Sequence, residues 1–243
     1  MRWTGRGGSK ATTKGVAGKE AKTATKKRQK EPSKAPPAAP LVQPGKTPVV
    51  FLDANVLLPE YIRAVFLDLA DAGLIEVNWS ADVLLEVRRN LEAKFGLTAA
   101  KADRLVTVLQ TAFPGSLVQG YLKHAKKFIG SVHSGDKHVA AAAYKLSIRD
   151  YAGRNIVLVS HNLKHLPKKA FVDTTVLTSR PGPFLEKLIA TKPGEVSSVL
   201  KTLCARMTKP PISEMDLLTL LENSDCKGFA AKLAEVWGFA PAS

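Results

Sequence analysis

Residues 49–52 read VVFL, and Asp53 follows. Four apolar residues in a row leave no polar face, so a strand made from them is buried on both sides, as in a parallel sheet covered by helices. NIVLVS, from Asn155, repeats the pattern. LIEVNWS, from Leu74, and TTVLT, from Thr174, read as two further short strands. Helical sequence lies between them. YIRAVFLDLADAG, from Tyr61, closes on Gly73; ADVLLEVRRNLEAKFG has Ser80 as an N-cap and Gly96 as its stop. Residues 98–113 and 121–128 continue the helical pattern, and GDKHVAAAAYKLSI is an alanine-rich helix whose small side chains permit close packing. Alternating strands and helices predict an α/β fold, a parallel sheet with helices on both faces.

Beyond Pro181 the pattern is helical only, three or four short helices divided by Pro210-Pro211, with Ser213 starting the next one. Residues 1–47 are rich in Lys, Ala, Thr, Gly and Pro, with Trp3 their one aromatic. Such a segment has too little apolar surface for a core, so it is expected to be a disordered tail. The division is thus a tail at 1–47, a sheet domain at 48–180 and a helical extension at 181–243. The net charge is +15, and the first 46 residues carry 12 Lys/Arg against 2 Glu. A chain so cationic is drawn to polyanions, nucleic acid first among them; the plainer role for the tail is a solvated charge cloud. Cys204 and Cys226 fit no zinc spacing. No apolar run approaches membrane-spanning length, and the N-terminus lacks a secretory apolar core. A cytoplasmic location is expected.

Sites in open α/β sheets form at the carboxyl ends of the strands. Asp53 ends the first strand, and Asn162 follows the strand from Asn155. Glu86 borders the apolar stripe of Val83, Leu84, Val87 and Leu91, and Asp136 lies in the first turn of the alanine-rich helix. Each has a plainer role taken singly. Asp53 suits an Asx-turn, Glu86 an i,i+3 pair with Arg89, Asp136 a helix N-terminus and Asn162 an ordinary loop. The functional reading rests on the four together.

In these segments the chain resembles a PIN-domain ribonuclease of the VapC toxin type, over roughly residues 48–178. FLDANVLLP is similar to that family's opening strand, GDKHVAAAA to its central helix, and NIVLVSHNLKHLP to its closing strand and loop. LLEVRRNL is similar to the helix carrying a second acid. Residues 184–236, with the KPPIS break, resemble the C-terminal extension of one subgroup. The resemblance implies a PIN-like fold and a metal-dependent ribonuclease. Asp53, Glu86 and Asp136 take its three acidic positions, and Asn162 takes the fourth. Ser160 stands where the family has Thr, and His165-Leu166 where it has Asp-Phe. The site then carries at most three carboxylates, which implies weaker metal binding or one metal fewer.

Clustered carboxylates raise one another's pKa, and a divalent cation removes that penalty. Oxygen ligands suit Mg2+ or Mn2+. Asp53 and Asp136 are expected to bind the metal directly, Glu86 directly or through water. Asn162 would orient a bound water, and Asn55 and Ser160 would hold the carboxylates. Arg88, Arg89, Lys137 and Lys164 neighbour these residues and are expected to hold RNA phosphates, the plainer alternative being a solvated surface. His138 reads as a packing or hydrogen-bonding residue; His161 and His165 stay open. Haloacid-dehalogenase phosphatases also begin with a strand ending in Asp, but their second Asp, a general acid, is Asn55 here. The non-enzymatic alternative is a catalytically weakened PIN domain that binds RNA or a protein. The resemblance also implies a small antitoxin partner and a homodimer.

Overall fold

The computed structural model describes residues 39–239. Most of the expected tail therefore lies outside the described residues. Its last nine positions, 39–47, do not: Val42 is buried in the core, Leu41 packs against it, and the Thr47 carbonyl accepts from the Arg154 guanidinium at 2.6 Å. Packing thus begins several residues before Pro48, because Leu41 and Val42 supply an apolar pair inside a polar stretch.

Strand β1 (Val49–Leu52) is wholly buried. It leads through a one-turn helix, α1 (Ala54–Leu57), into α2 (Glu60–Asp71). Then come β2 (Glu76–Ser80), α3 (Ala81–Phe95), α4 (Ala99–Ala112) and the two-residue strand β3 (Leu117–Val118). A 3-10 segment, Leu122–Phe128, precedes α5 (Lys137–Lys145), which runs on into a π-helical turn at Leu146–Asp150. Strands β4 (Ile156–Val159) and β5 (Val176–Ser179) complete the sheet. All neighbouring strands are parallel, in the order β3-β2-β1-β4-β5. The parallel α/β class expected from the apolar runs is what forms.

Two sequence expectations are extended by the structure. Five strands form instead of four, since β3 is too short to leave a periodic signal. The segment at 121–128 is 3-10 rather than α. The caps follow the sequence. The Ser80 hydroxyl accepts from the Val83 N–H at 3.3 Å, and Gly96 stops α3 with φ 64°.

The chain runs from β1 through β2 to β3 in one direction and then returns past them to β4, on the other side of β1. The strand order therefore reverses between β1 and β4. That reversal opens a crevice at their carboxyl ends, the place where open α/β sheets bind ligands. Both strands end in a short polar side chain there, Asp53 after β1 and Ser160 after β4.

Helices α6 (Pro181–Thr191), α7 (Pro193–Arg206), α8 (Glu214–Asn223) and α9 (Lys227–Trp237) follow the sheet. The capping box of Ser213 and Asp216 starts α8. These helices share one compact unit with the sheet. Phe184 of α6 stacks on Phe66 of α2 with centroids 5.9 Å apart, and both rings are fully buried. Gly182 is required at the start of α6, because a Cβ there would lie 2.5 Å from the Asp225 carbonyl oxygen. Among the described residues no helix is long and apolar enough to cross a membrane.

Candidate active site

Asp53 sits at the end of β1 and caps α1, with only 3 % of its surface exposed. Its Oδ1 accepts from the Ala54 N–H at 2.7 Å. Its Oδ2 accepts from the Asn55 amide at 2.7 Å and from the Ser160 hydroxyl at 2.6 Å. Ser160 is fully buried and also accepts, from the Asn55 amide and from the Asn162 N–H, both at 3.0 Å. The Asn55 carbonyl oxygen takes the His161 N–H at 2.9 Å. Asn55 and Ser160 thus tie the ends of β1 and β4 together and hydrogen-bond the carboxylate between them.

Asp136 lies at the turn before α5. Its Oδ2 lies 2.9 Å from His165 Nδ1 and 3.6 Å from His133 Nδ1. Asn162 reaches this group through its side-chain nitrogen, 2.7 Å from His165 Nδ1. Glu86 projects from α3, half exposed, with Oε2 4.0 Å from His138 Nε2. His138 is held by its other nitrogen, Nδ1, which donates to the Gly135 carbonyl oxygen at 2.8 Å. That Nε2 is buried without a hydrogen-bond partner.

The three carboxylates feel one another. Burial pushes the Asp53 carboxyl above its ordinary pKa; the Ser160 and Ala54 hydrogen bonds and His138 pull it back, while the Asp136 charge pushes it further. Burial also raises Glu86, and the charges of Asp53 and Asp136 add to the rise. Among the described residues no Lys or Arg forms a salt bridge with any of the three. A buried carboxylate without a cationic partner is costly.

Among the described residues, the side chains whose ligand atoms lie within 4.8 Å of one another are His133, Asp136 and His165, a group that takes in Asp136 but not Asp53 or Glu86. The crevice brings together carboxylates from three elements and an imidazole nitrogen, His138 Nε2, without a hydrogen-bond partner. Asp53 accepts only one hydrogen bond at Oδ1, so a lone pair remains there.

The residues expected to hold RNA divide. Arg88 is engaged elsewhere, pairing with Asp103 of α4 and with Glu92 at 3.0 Å. Arg89 and Lys164 are exposed and Lys137 half-buried, and none of the three makes an ion pair among the described residues. His161 is half-buried, and burial, with Arg180 nearby, holds its pKa below the usual imidazole value. His133 is the residue that sequence reasoning missed. Its one available signal is the His-x-x-Asp spacing to Asp136, which becomes meaningful only when the loop after β4 brings His165 against both.

The fold and these residues define a parallel α/β protein with an acid cluster at the point where strand order reverses. Residues 181–235, covering α6 to α8 and most of α9, match the family model described as VapC50 C-terminal domain. This match points to a VapC-type protein. No curated protein and no solved structure matches the chain.

Proposed function

We propose that the protein is a metal-dependent endoribonuclease and the toxin of a toxin-antitoxin pair. The observation that carries the reading is the placement of Asp53 where the strand order reverses, tied by Asn55 and Ser160 to the end of β4, with no lysine or arginine ion pair to Asp53, Glu86 or Asp136 among the described residues. The match of residues 181–235 to the VapC50 C-terminal domain supports the toxin assignment and, with it, a small antitoxin partner. A Mg2+ or Mn2+ ion held by Asp53, Glu86 and Asp136 supplies the charge that polarises a phosphodiester and acidifies a water.

The chain's own residues prepare that step. Ser160, Asn55 and the Ala54 N–H hold Asp53 in place, and the Ser160 and Ala54 bonds oppose a burial that favours its protonated form. Ser160 also accepts the Asn162 N–H, so the fourth position is set by the same hydroxyl that sets the first. Arg89, Lys137 and Lys164 are the cations left to hold backbone phosphates. RNA is the substrate of this reading, and a homodimer its assembly.

The test is cleavage of mixed RNA by wild type and Asp53→Asn in Mg2+ or Mn2+. Wild type should cleave; the near-isosteric variant should keep its fold and lose at least about 100-fold in rate. Cleavage of equal rate by both would overturn the assignment. A second reading, a weakened PIN domain that binds RNA without cutting it, is favoured by His165 lying against Asp136 Oδ2 at 2.9 Å. Binding by both proteins with cleavage by neither selects it.

A further inference from the structure

The cluster on the far side of Asp136 differs in chemistry from the carboxylate group. One ligand atom from each of His133, Asp136 and His165 lies within 4.8 Å of the others. The two imidazoles stack, with centroids 4.2 Å apart and planes 20° off parallel. Backbone bonds fix the arrangement, for the His133 N–H donates to the His165 carbonyl at 3.1 Å and the Asp136 N–H to the His133 carbonyl at 3.0 Å.

Ligands bound at about 2.1 Å stand about 3.0 Å apart across an octahedral edge and about 3.4 Å apart across a tetrahedral one. Asp136 Oδ2 lies 2.9 Å from one Nδ1 and 3.6 Å from the other, separations of that kind. The protonation pattern points the same way. The Gly135 N–H donates to His133 Nδ1 at 3.3 Å, so that nitrogen carries a lone pair. His165 Nδ1 faces the Asn162 amide nitrogen at 2.7 Å and the Asp136 carboxylate at 2.9 Å. One ring nitrogen cannot accept from the first and donate to the second at once. With a lone pair it confronts the carboxylate; with a proton it confronts the amide N–H. A cation here would have to displace the Gly135 N–H from the His133 lone pair, and a half-turn of the Asn162 amide would turn its oxygen toward the site as a neutral ligand.

We propose that His133, Asp136 and His165 form a binding site for a nitrogen-preferring divalent transition metal, with Zn2+ as the probe and Mg2+ disfavoured. Two imidazoles and one carboxylate suit zinc, iron or nickel, whereas Mg2+ takes oxygen ligands and keeps its waters. The site shares Asp136 with the carboxylate crevice but does not rest on the hydrolytic reading.

The experiment is calorimetric titration of chelator-stripped full-length protein with ZnCl2 and with MgCl2, alongside side-chain 15N spectra of the histidines. Wild type should take up Zn2+ with both His133 and His165 Nδ1 resonances shifted and His124 unmoved. His133→Gln and His165→Gln should each weaken that binding by at least about 100-fold. Far-UV dichroism checks that each variant is folded. Asp53→Asn should bind Zn2+ as wild type does even where it has lost RNA cleavage, which separates failure of the crevice from failure of this site. MgCl2 should leave the two rings unshifted. Zn2+ affinity unchanged in both Gln variants, or ring resonances that respond to pH but not to Zn2+, would overturn the proposal and leave His165 a protonated partner of Asp136.

Discussion

Replacing Ser160 with alanine attacks the joint between β1 and β4. The hydroxyl is fully buried and serves three partners: it donates to Asp53 Oδ2 at 2.6 Å and accepts from Asn55 and from the Asn162 N–H. A hydrogen bond to a charged group contributes about 1.5–3 kcal/mol, and an orphaned buried donor costs about 1–3 kcal/mol. Asn55 keeps Asp53 as a partner, and half-buried Asn162 can turn to water, so the orphan cost falls at the low end. The expected loss is about 2.5–4 kcal/mol, or about 5–15 °C in Tm for a chain of this size. Its pH dependence has a definite sign. The Ser160 bond favours ionised Asp53, so its removal lifts a pKa that burial has already raised. The deficit is then full above the Asp53 pKa of the folded state and fades as pH falls through it. Metal-free thermal melts across pH measure both quantities. A variant within about 0.5 kcal/mol of wild type at every pH would refute the claim that this hydroxyl holds the carboxylate.

Two further outcomes follow from the same geometry. Because the folded-state pKa values of Asp53 and Glu86 lie above their ordinary values, metal-free stability should fall as pH rises through that interval. Asp53→Asn should flatten this fall and abolish the rise in Tm that saturating Mg2+ gives wild type, both read by scanning calorimetry. Gly182→Ala drives a methyl into the Asp225 carbonyl and should cost about 1–3 kcal/mol, a loss that urea unfolding would detect.

The sheet was legible because β1 and β4 have unbroken apolar runs, which only a doubly covered parallel strand explains. The cap residues Ser80, Gly96 and Ser213 were legible for the local reason that each satisfies the ends of one helix. Strand β3 was not, since two residues carry no period. Nor was the packing of Leu41 and Val42, which is decided by the surface they meet. At the candidate site, the logic of strand ends pointed to Asp53 and Asn162, and the helix positions of Glu86 and Asp136 added the other two. The histidines were harder. His138 reads as a packing or hydrogen-bonding residue, and the structure gives it one hydrogen bond, with its other nitrogen unpartnered 4.0 Å from Glu86. His133 belongs to a loop with no periodicity, and its stacking on His165 spans 32 positions of sequence. Arg88 was read beside the acids, but α4 supplies Asp103 to take its charge, a contact that adjacency in sequence does not reveal.

The most direct test is anomalous diffraction from crystals soaked in Mn2+. The account predicts a peak within bonding reach of carboxylate oxygens from Asp53, Glu86 and Asp136, whether or not a second peak lies between His133 and His165. Saturating Mn2+ with no peak among those three side chains would contradict it.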